Sequence, residues 1–158
     1  MPEKHLTAPP AAADKNISVS NWLRLVRVYN LMCKELRSRL KEQSGCTLPQ
    51  FDVLAQLHRF GRGMTFVELS RELLVTSGNL TGIVDRLTAM GHVTRQPDQR
   101  DRRVIRVVLT PGGADLMEQL LPRHSADLED LLHALSAADQ QALQRVLGKL
   151  RVSLQSVG

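Results

Sequence analysis

The chain has 158 residues, about the length of one domain, and 42% of them are apolar, with only five aromatics (Trp22, Tyr29, Phe51, Phe60, Phe66), so its core must be aliphatic. The net charge is +5, with 16 Arg against 5 Lys, which favours the planar guanidinium fork over the hydrated ammonium. No apolar run of ~18 residues can span a membrane, no apolar segment near the N-terminus forms a secretory signal, and Cys33 and Cys46 give neither a disulfide framework nor zinc-ligand spacing, so a cytoplasmic setting is expected.

Residues 1–17, rich in Pro, Ala and Lys, read as a flexible N-terminal arm. A helix is expected from Ser18 or Ser20 to just before Ser44-Gly45, because Trp22, Leu23, Val26, Tyr29, Cys33, Leu36 and Leu40 recur at helical spacing. Thr47 with Gln50 three residues on is a capping box, and Pro49 falls in the first turn of a second helix whose buried side is Phe51, Val53, Leu54 and Leu57. Thr65 and Glu68 repeat the capping box for a short amphipathic helix with Val67, Leu69, Leu73 and Leu74 on its apolar side. A turn at 75–78 leads to a helix over 77–90, in which Leu80, Ile83, Val84, Leu87 and Met90 are spaced by three and four. Gly91 suits a left-handed terminator.

The periodicity then changes. Residues 92–95 and 104–109 are β-branched and extended, and the polar stretch 97–103 between them makes a hairpin with a charged tip. Thr110-Pro111 opens a long helix that Pro122 is expected to kink or interrupt. Ser136 and Asp139 cap a last helix carrying Leu143, Val146, Leu147, Leu150 and Leu154. The predicted fold is mainly α with one small β-hairpin. Two short capped helices, a tight turn and a following hairpin are the order of a winged helix-turn-helix, whose second helix enters the DNA major groove.

The basic character is not uniform. Residues 1–60 carry net +4, residues 61–110 net +3, and residues 111–158 net −2. The peak lies between Arg95 and Arg106, where five Arg meet only Asp98 and Asp101 in the sequence. Such a stripe is the electrostatic footprint expected for nucleic acid.

Three stretches carry a resemblance. They are Thr65-Phe-Val-Glu-Leu-Ser-Arg-Glu-Leu73, Val75-Thr-Ser-Gly-Asn-Leu-Thr-Gly-Ile-Val-Asp-Arg-Leu87, and Asp98-Gln-Arg-Asp-Arg-Arg103 leading to Val108-Leu-Thr-Pro-Gly112. Together they resemble the DNA-binding core of the MarR (multiple antibiotic resistance regulator) family, and the likeness extends over roughly residues 20–155. It implies a winged helix-turn-helix over 46–110, flanked by dimerisation helices at 18–45 and 111–158. It also implies a homodimer on a pseudo-palindromic operator, acting as a ligand-responsive regulator. The expected form is a repressor released by a small aromatic or phenolic acid.

The residues give these expectations content. Ser77, Asn79 and Thr81 are short polar side chains at a helix N-terminus that presents free N–H groups, and Asn is able to pair with adenine. Thr76 or Ser77 is expected to cap that helix. Arg86 either binds phosphate or pairs with Asp85 or a wing carboxylate. Thr65 caps its helix and also touches the DNA backbone. Arg100 and Arg102 are the expected minor-groove pair, with Asp101 and Arg103 forming an ion pair that shapes the wing. The first and last helices are too apolar around their circumference for surface helices, which independently suggests an interface. The family likeness places an effector pocket near Trp22, Arg24, Arg27 and His58, where Arg suits a carboxylate. Two alternatives stand beside this reading. One is a thiol-based redox sensor using Cys33 or the more exposed Cys46; the other is a winged-helix interaction module that binds no DNA. No phosphate loop, nucleophile elbow or metal-binding His pair marks an enzyme, and no cofactor or metal is expected.

Overall fold

The computed structural model describes residues 17–156; most of the predicted N-terminal arm lies outside them. Nine elements follow in chain order: α1 (Ile17–Ser44), α2 (Leu48–Phe60), β1 (Met64–Thr65), α3 (Phe66–Leu73), α4 (Ser77–Ala89), β2 (Val93–Pro97), β3 (Ile105–Leu109), α5 (Pro111–Leu131) and α6 (Ala137–Gln155). The chain divides into two compact units between Glu35 and Leu36, inside α1. Leu40 of α1 already belongs to the core of the second unit.

In the first unit the helix exposes a run of large apolar side chains, among them Ile17, Trp22, Leu23, Leu25, Val28 and Leu31. The second unit contains the winged helix-turn-helix. Its core joins Phe51, Leu54 and Leu57 of α2 to Leu69 of α3 and to Leu80, Val84 and Leu87 of α4. Met64, Val93 and Val107 close it from the sheet, and Met117 and Leu120 from α5. Each fully buried Leu contributes roughly 1.5–3 kcal/mol relative to exposure, so aliphatic periodicity suffices to dock these short helices without aromatic mass.

Both predicted capping boxes ahead of the hairpin form. Thr47 accepts from the Gln50 amide and Gln50 returns the bond to the Thr47 N–H; Thr65 and Glu68 do the same for α3. Ser136 and Asp139 cap α6. Gly91 takes φ 77° after α4 and turns the chain into β2. Gly113 allows the start of α5 to press on the strand entry, because a Cβ there would sit 2.0 Å from the His92 carbonyl oxygen.

Four expectations need correction. Val67 is 68% exposed and Leu74 91% exposed, so α3 buries Leu69 and part of Leu73 but not its whole apolar set. Met90 caps α4 at its C-terminus and is exposed. Pro122 does not interrupt α5, which runs unbroken to Leu131. The proline removes one backbone donor, yet buried Met117 and Leu120 precede it and Asp127, bonded to Arg39 at 3.0 Å, follows it, so the helix is held on both sides. The sheet has a third strand: β1 pairs with β3, Met64 opposite Val107, giving the antiparallel order β1-β3-β2. Two residues of strand carry no periodicity of their own; pairing to β3 defines them.

Candidate nucleic-acid interface

Helix α4 begins with an open N-terminus. Thr76 holds the N-cap backbone conformation, but its side chain makes no capping bond, and Ser77 does not replace it. The expected side-chain cap is therefore absent, and the first-turn amides with their positive dipole end stay available to an external acceptor. Ser77, Asn79 and Thr81 are all exposed here. Thr81 donates its hydroxyl proton to the Ser77 carbonyl at 3.0 Å, so toward an outside partner it offers lone pairs and a methyl group. Gly78 and Gly82 face open space on the same helix. Gly82, inside the helix, costs about 1 kcal/mol against Ala, and each of the two lets another surface approach the backbone closely. Sequence reasoning did not single out these glycines.

Arg86 is exposed and forms no ion pair among the described residues. The anticipated Arg86–Asp85 pair is excluded because Asp85 is taken by Arg95 of β2 at 2.5 Å. The same Arg95 guanidinium lies 5.6 Å from the centre of the Phe66 ring at the start of α3. Arg95 thus ties a wing strand to both helices of the motif.

A second strut is Arg106 of β3. Its Nε donates to Asp98 at the wing turn. Its Nη1 donates to the Gly63 carbonyl at 2.8 Å and to Glu68 at 3.1 Å, inside the capping box of α3. Asp98 also accepts the backbone N–H of Arg100 at 2.7 Å and of Asp101 at 3.1 Å. The Arg106 guanidinium, aided by those two amides, holds the Asp98 carboxyl down at about 2. Glu68 is also held below its usual value, first by the Thr65 amide and then by Arg106 and Arg62.

The expected wing-shaping ion pair, Asp101 with Arg103, is not formed. Asp101 accepts the backbone N–H of Arg103 at 3.0 Å and leaves its guanidinium unpaired. The wing is shaped instead by Asp98 and Arg106, because β-pairing sets Gln96 opposite Arg106 and brings Asp98 to that guanidinium. Arg100, Arg102 and Arg103 are left exposed with no carboxylate on their side chains among the described residues. A tip of three free guanidiniums on a braced hairpin, next to an open helix N-terminus, is suited to phosphate and groove contacts.

The remaining candidates are less concentrated. Trp22, Arg24 and Arg27 are exposed on α1 in the first unit. His58, in the second, lines a cleft of about 240 Å³ with Leu57, Arg62, Val108, Leu109 and Ala114. Cys46 is not the exposed thiol expected from its loop: it is 2% exposed, and burial, with Asp52 nearby, pushes it up to about 11. Cys33 is buried too. Burial denies both thiols the access that a reactive cysteine needs. Among the described residues no group of three or more His, Cys, Asp or Glu is placed to hold a metal ion, and no helix is long and apolar enough to cross a membrane.

Comparison with known proteins agrees with this geometry. Residues 44–104 match the model of the MarR family. The chain is 37% identical over 124 residues to the transcriptional activatory protein BadR of Rhodopseudomonas palustris, covering 76% of this chain and 70% of BadR. It is 34% identical over 128 residues to the multiple antibiotic resistance protein MarR of Salmonella typhimurium, covering 80% and 88% respectively. A crystal structure of a mutant MarR from E. coli complexed with operator DNA superposes with a TM-score of 0.73 at 31% identity, over 85% of this chain and 94% of that one. The α3–α4 pair, the braced wing and these relatives lead to one conclusion: the chain belongs to the MarR family of transcriptional regulators.

Proposed function

We propose that the chain binds a pseudo-palindromic operator in double-stranded DNA as a homodimer and represses transcription until a small aromatic or phenolic acid releases it. The observation that carries the DNA reading is the set of three unpaired arginines, Arg100, Arg102 and Arg103, on a hairpin braced to α3 and α4. In this reading α4 enters the major groove with Ser77, Asn79 and Thr81 at base edges or phosphates. Arg86 and Thr65 contact the backbone. The wing arginines enter the flanking minor groove, where narrow A·T segments attract guanidinium. The related MarR complex with operator DNA supports this docking.

Dimerisation is supported by the apolar residues that the described chain leaves uncovered. No residue of α6 is buried, although Leu143, Val146, Leu147, Leu150 and Leu154 lie on it. Exposed apolar surface of this extent marks an interface, and a twofold dimer sets its recognition helices about 34 Å apart, one DNA turn. For the effector we favour the His58 cleft. Its 240 Å³ is below the usual ~300–1,000 Å³ of drug-sized sites and suits a single-ring acid, with His58 and Arg62 as donors to a carboxylate. Trp22, Arg24 and Arg27 are then left to the dimer surface. Repression or activation depends on where the operator lies relative to the promoter, since both use the same protein–DNA contacts.

The test is selection of a duplex from a random-sequence pool by the purified protein, followed by titration with single-ring carboxylic acids. The expected result is a two-half-site sequence bound by a dimer and released by at least one such acid. Failure to retain any duplex at low salt would overturn the reading.

A further inference from the structure

Leu74 combines two unfavourable properties. It is the one non-glycine residue among the described residues with positive φ (φ 53°, ψ 38°), at the C-cap of α3. In that conformation a leucine has neither the freedom of glycine nor the local hydrogen bond of asparagine. It is also 91% exposed, the most exposed of the large apolar residues described. A strained backbone and a solvated isobutyl group at one position are explained when the side chain has a partner outside the protomer.

The surroundings indicate which partner. Leu74 faces Leu147, Leu150 and Leu154 of α6 across a groove of about 650 Å³, rimmed by Glu72 and Arg151. Those leucines lie at spacings of three and four on one side of a helix that buries none of its residues. Their stripe continues into Leu143 and Val146, the surface already assigned to the dimer. The groove is thus an extension of that surface into the helix-turn-helix. The chain itself offers matching material: eight exposed large apolar side chains between residues 17 and 31 of α1, with no acidic residue among them.

We infer that Leu74 is a dimer contact, seated with the α6 stripe against α1 of a second copy. The inference rests on the dimer reading under Proposed function. Its consequence is mechanical. Leu74 stands two residues before Thr76, the N-cap of α4. A clamp at Leu74 therefore fixes the entry of the recognition helix to the other protomer, so that assembly of the dimer and placement of α4 are one event.

The experiment compares wild type, Leu74→Gly and Leu74→Met by sedimentation velocity over a dilution series, with thermal unfolding at the lowest concentration. Glycine relieves the positive-φ strain, so the dilute Leu74→Gly protomer should unfold at an equal or higher temperature. Its dimer dissociation constant should nonetheless rise at least tenfold, while Leu74→Met stays near wild type. A Leu74→Gly protein that is dimeric like wild type overturns the inference and leaves the dimer intact; a wild type that is monomeric at micromolar concentration overturns both. A photo-crosslinking residue at position 74, in dimers mixed from heavy- and light-isotope chains, gives a second measurement independent of stability. Crosslinks to residues 17–31 of the other copy are expected, and crosslinks confined to the same chain refute the contact.

Discussion

The five arginines between Arg95 and Arg106 should separate into two kinds when they are removed one at a time. Arg100, Arg102 and Arg103 point outward with no carboxylate partner among the described residues, whereas Arg95 and Arg106 are engaged with Asp85 and with Asp98 and Glu68. Each arginine that neutralises a phosphate contributes about 0.9 to the slope of log affinity against log salt, and a dimer carries two copies, so Arg102→Ala should lower the slope by about 1.8. Replacing all three tip arginines by Ala should lower it by about 5.4 on the same arithmetic. Thermal stability should not change, because none of the three holds another side chain. Arg106→Met in the wild-type background should also weaken binding, by releasing the wing. In the background lacking the three tip arginines it should subtract nothing further from the slope, since it touches no DNA itself. Fluorescence anisotropy with a selected operator, measured across a salt series, reads all of these quantities. A further fall of about 1.8 on adding Arg106→Met to the tip-less wing would make Arg106 a contact and refute its role as a strut.

Three other outcomes are expected. Leu87 of α4 is fully buried in the core, so Leu87→Ala should cost about 2–5 kcal/mol of stability in denaturant titration; a loss below 1 kcal/mol would mean that the site is not packed as described. The Asp98 carboxyl titrates at about 2 in the folded protein, held there by Arg106 and the amides of Arg100 and Asp101, against ~3.9 in an unfolded chain. The folded state therefore favours the ionised form, and the wing's stabilisation is complete above about pH 4 and lost as pH falls through about 2. Carboxyl NMR should show that midpoint, and Arg106→Met should raise it toward the ordinary range, with the Arg100 and Asp101 amides still holding it below. Buried Cys46, pushed up to about 11, should react with a thiol reagent only as fast as the protein unfolds, and operator binding should survive peroxide; rapid labelling of the native protein would reopen the redox reading.

Much of this fold is local and was legible for that reason. Thr47 with Gln50, Thr65 with Glu68 and Ser136 with Asp139 are three residues apart, so both partners of each cap stand together in the sequence. The aliphatic spacing of α4 identifies Leu80, Val84 and Leu87 as its buried face without reference to anything else. What escaped depends on distant partners. Met64-Thr65 is a strand only because β3 returns beside it more than forty residues later. Val67 and Leu74 continue an apolar pattern on α3 that the rest of the described chain does not cover.

The wing shows the same limit in the chemistry of the site. Along the sequence five arginines face two aspartates, and the nearest acid to Arg103 is Asp101. Folding brings in two more carboxylates, Asp85 from α4 and Glu68 from α3, and strand pairing carries Arg106 to Asp98, eight positions away. Four carboxylates then serve five arginines, and one of the four, Asp101, is occupied by a backbone amide. Counting charge would read this as a weaker basic patch. The geometry leads to the opposite conclusion, because the paired arginines are the braces. Removing Arg95 and Arg106 from the free set leaves three guanidiniums on a hairpin that those two residues brace to α3 and α4, and a groove contact needs that braced backbone more than it needs two further positive charges.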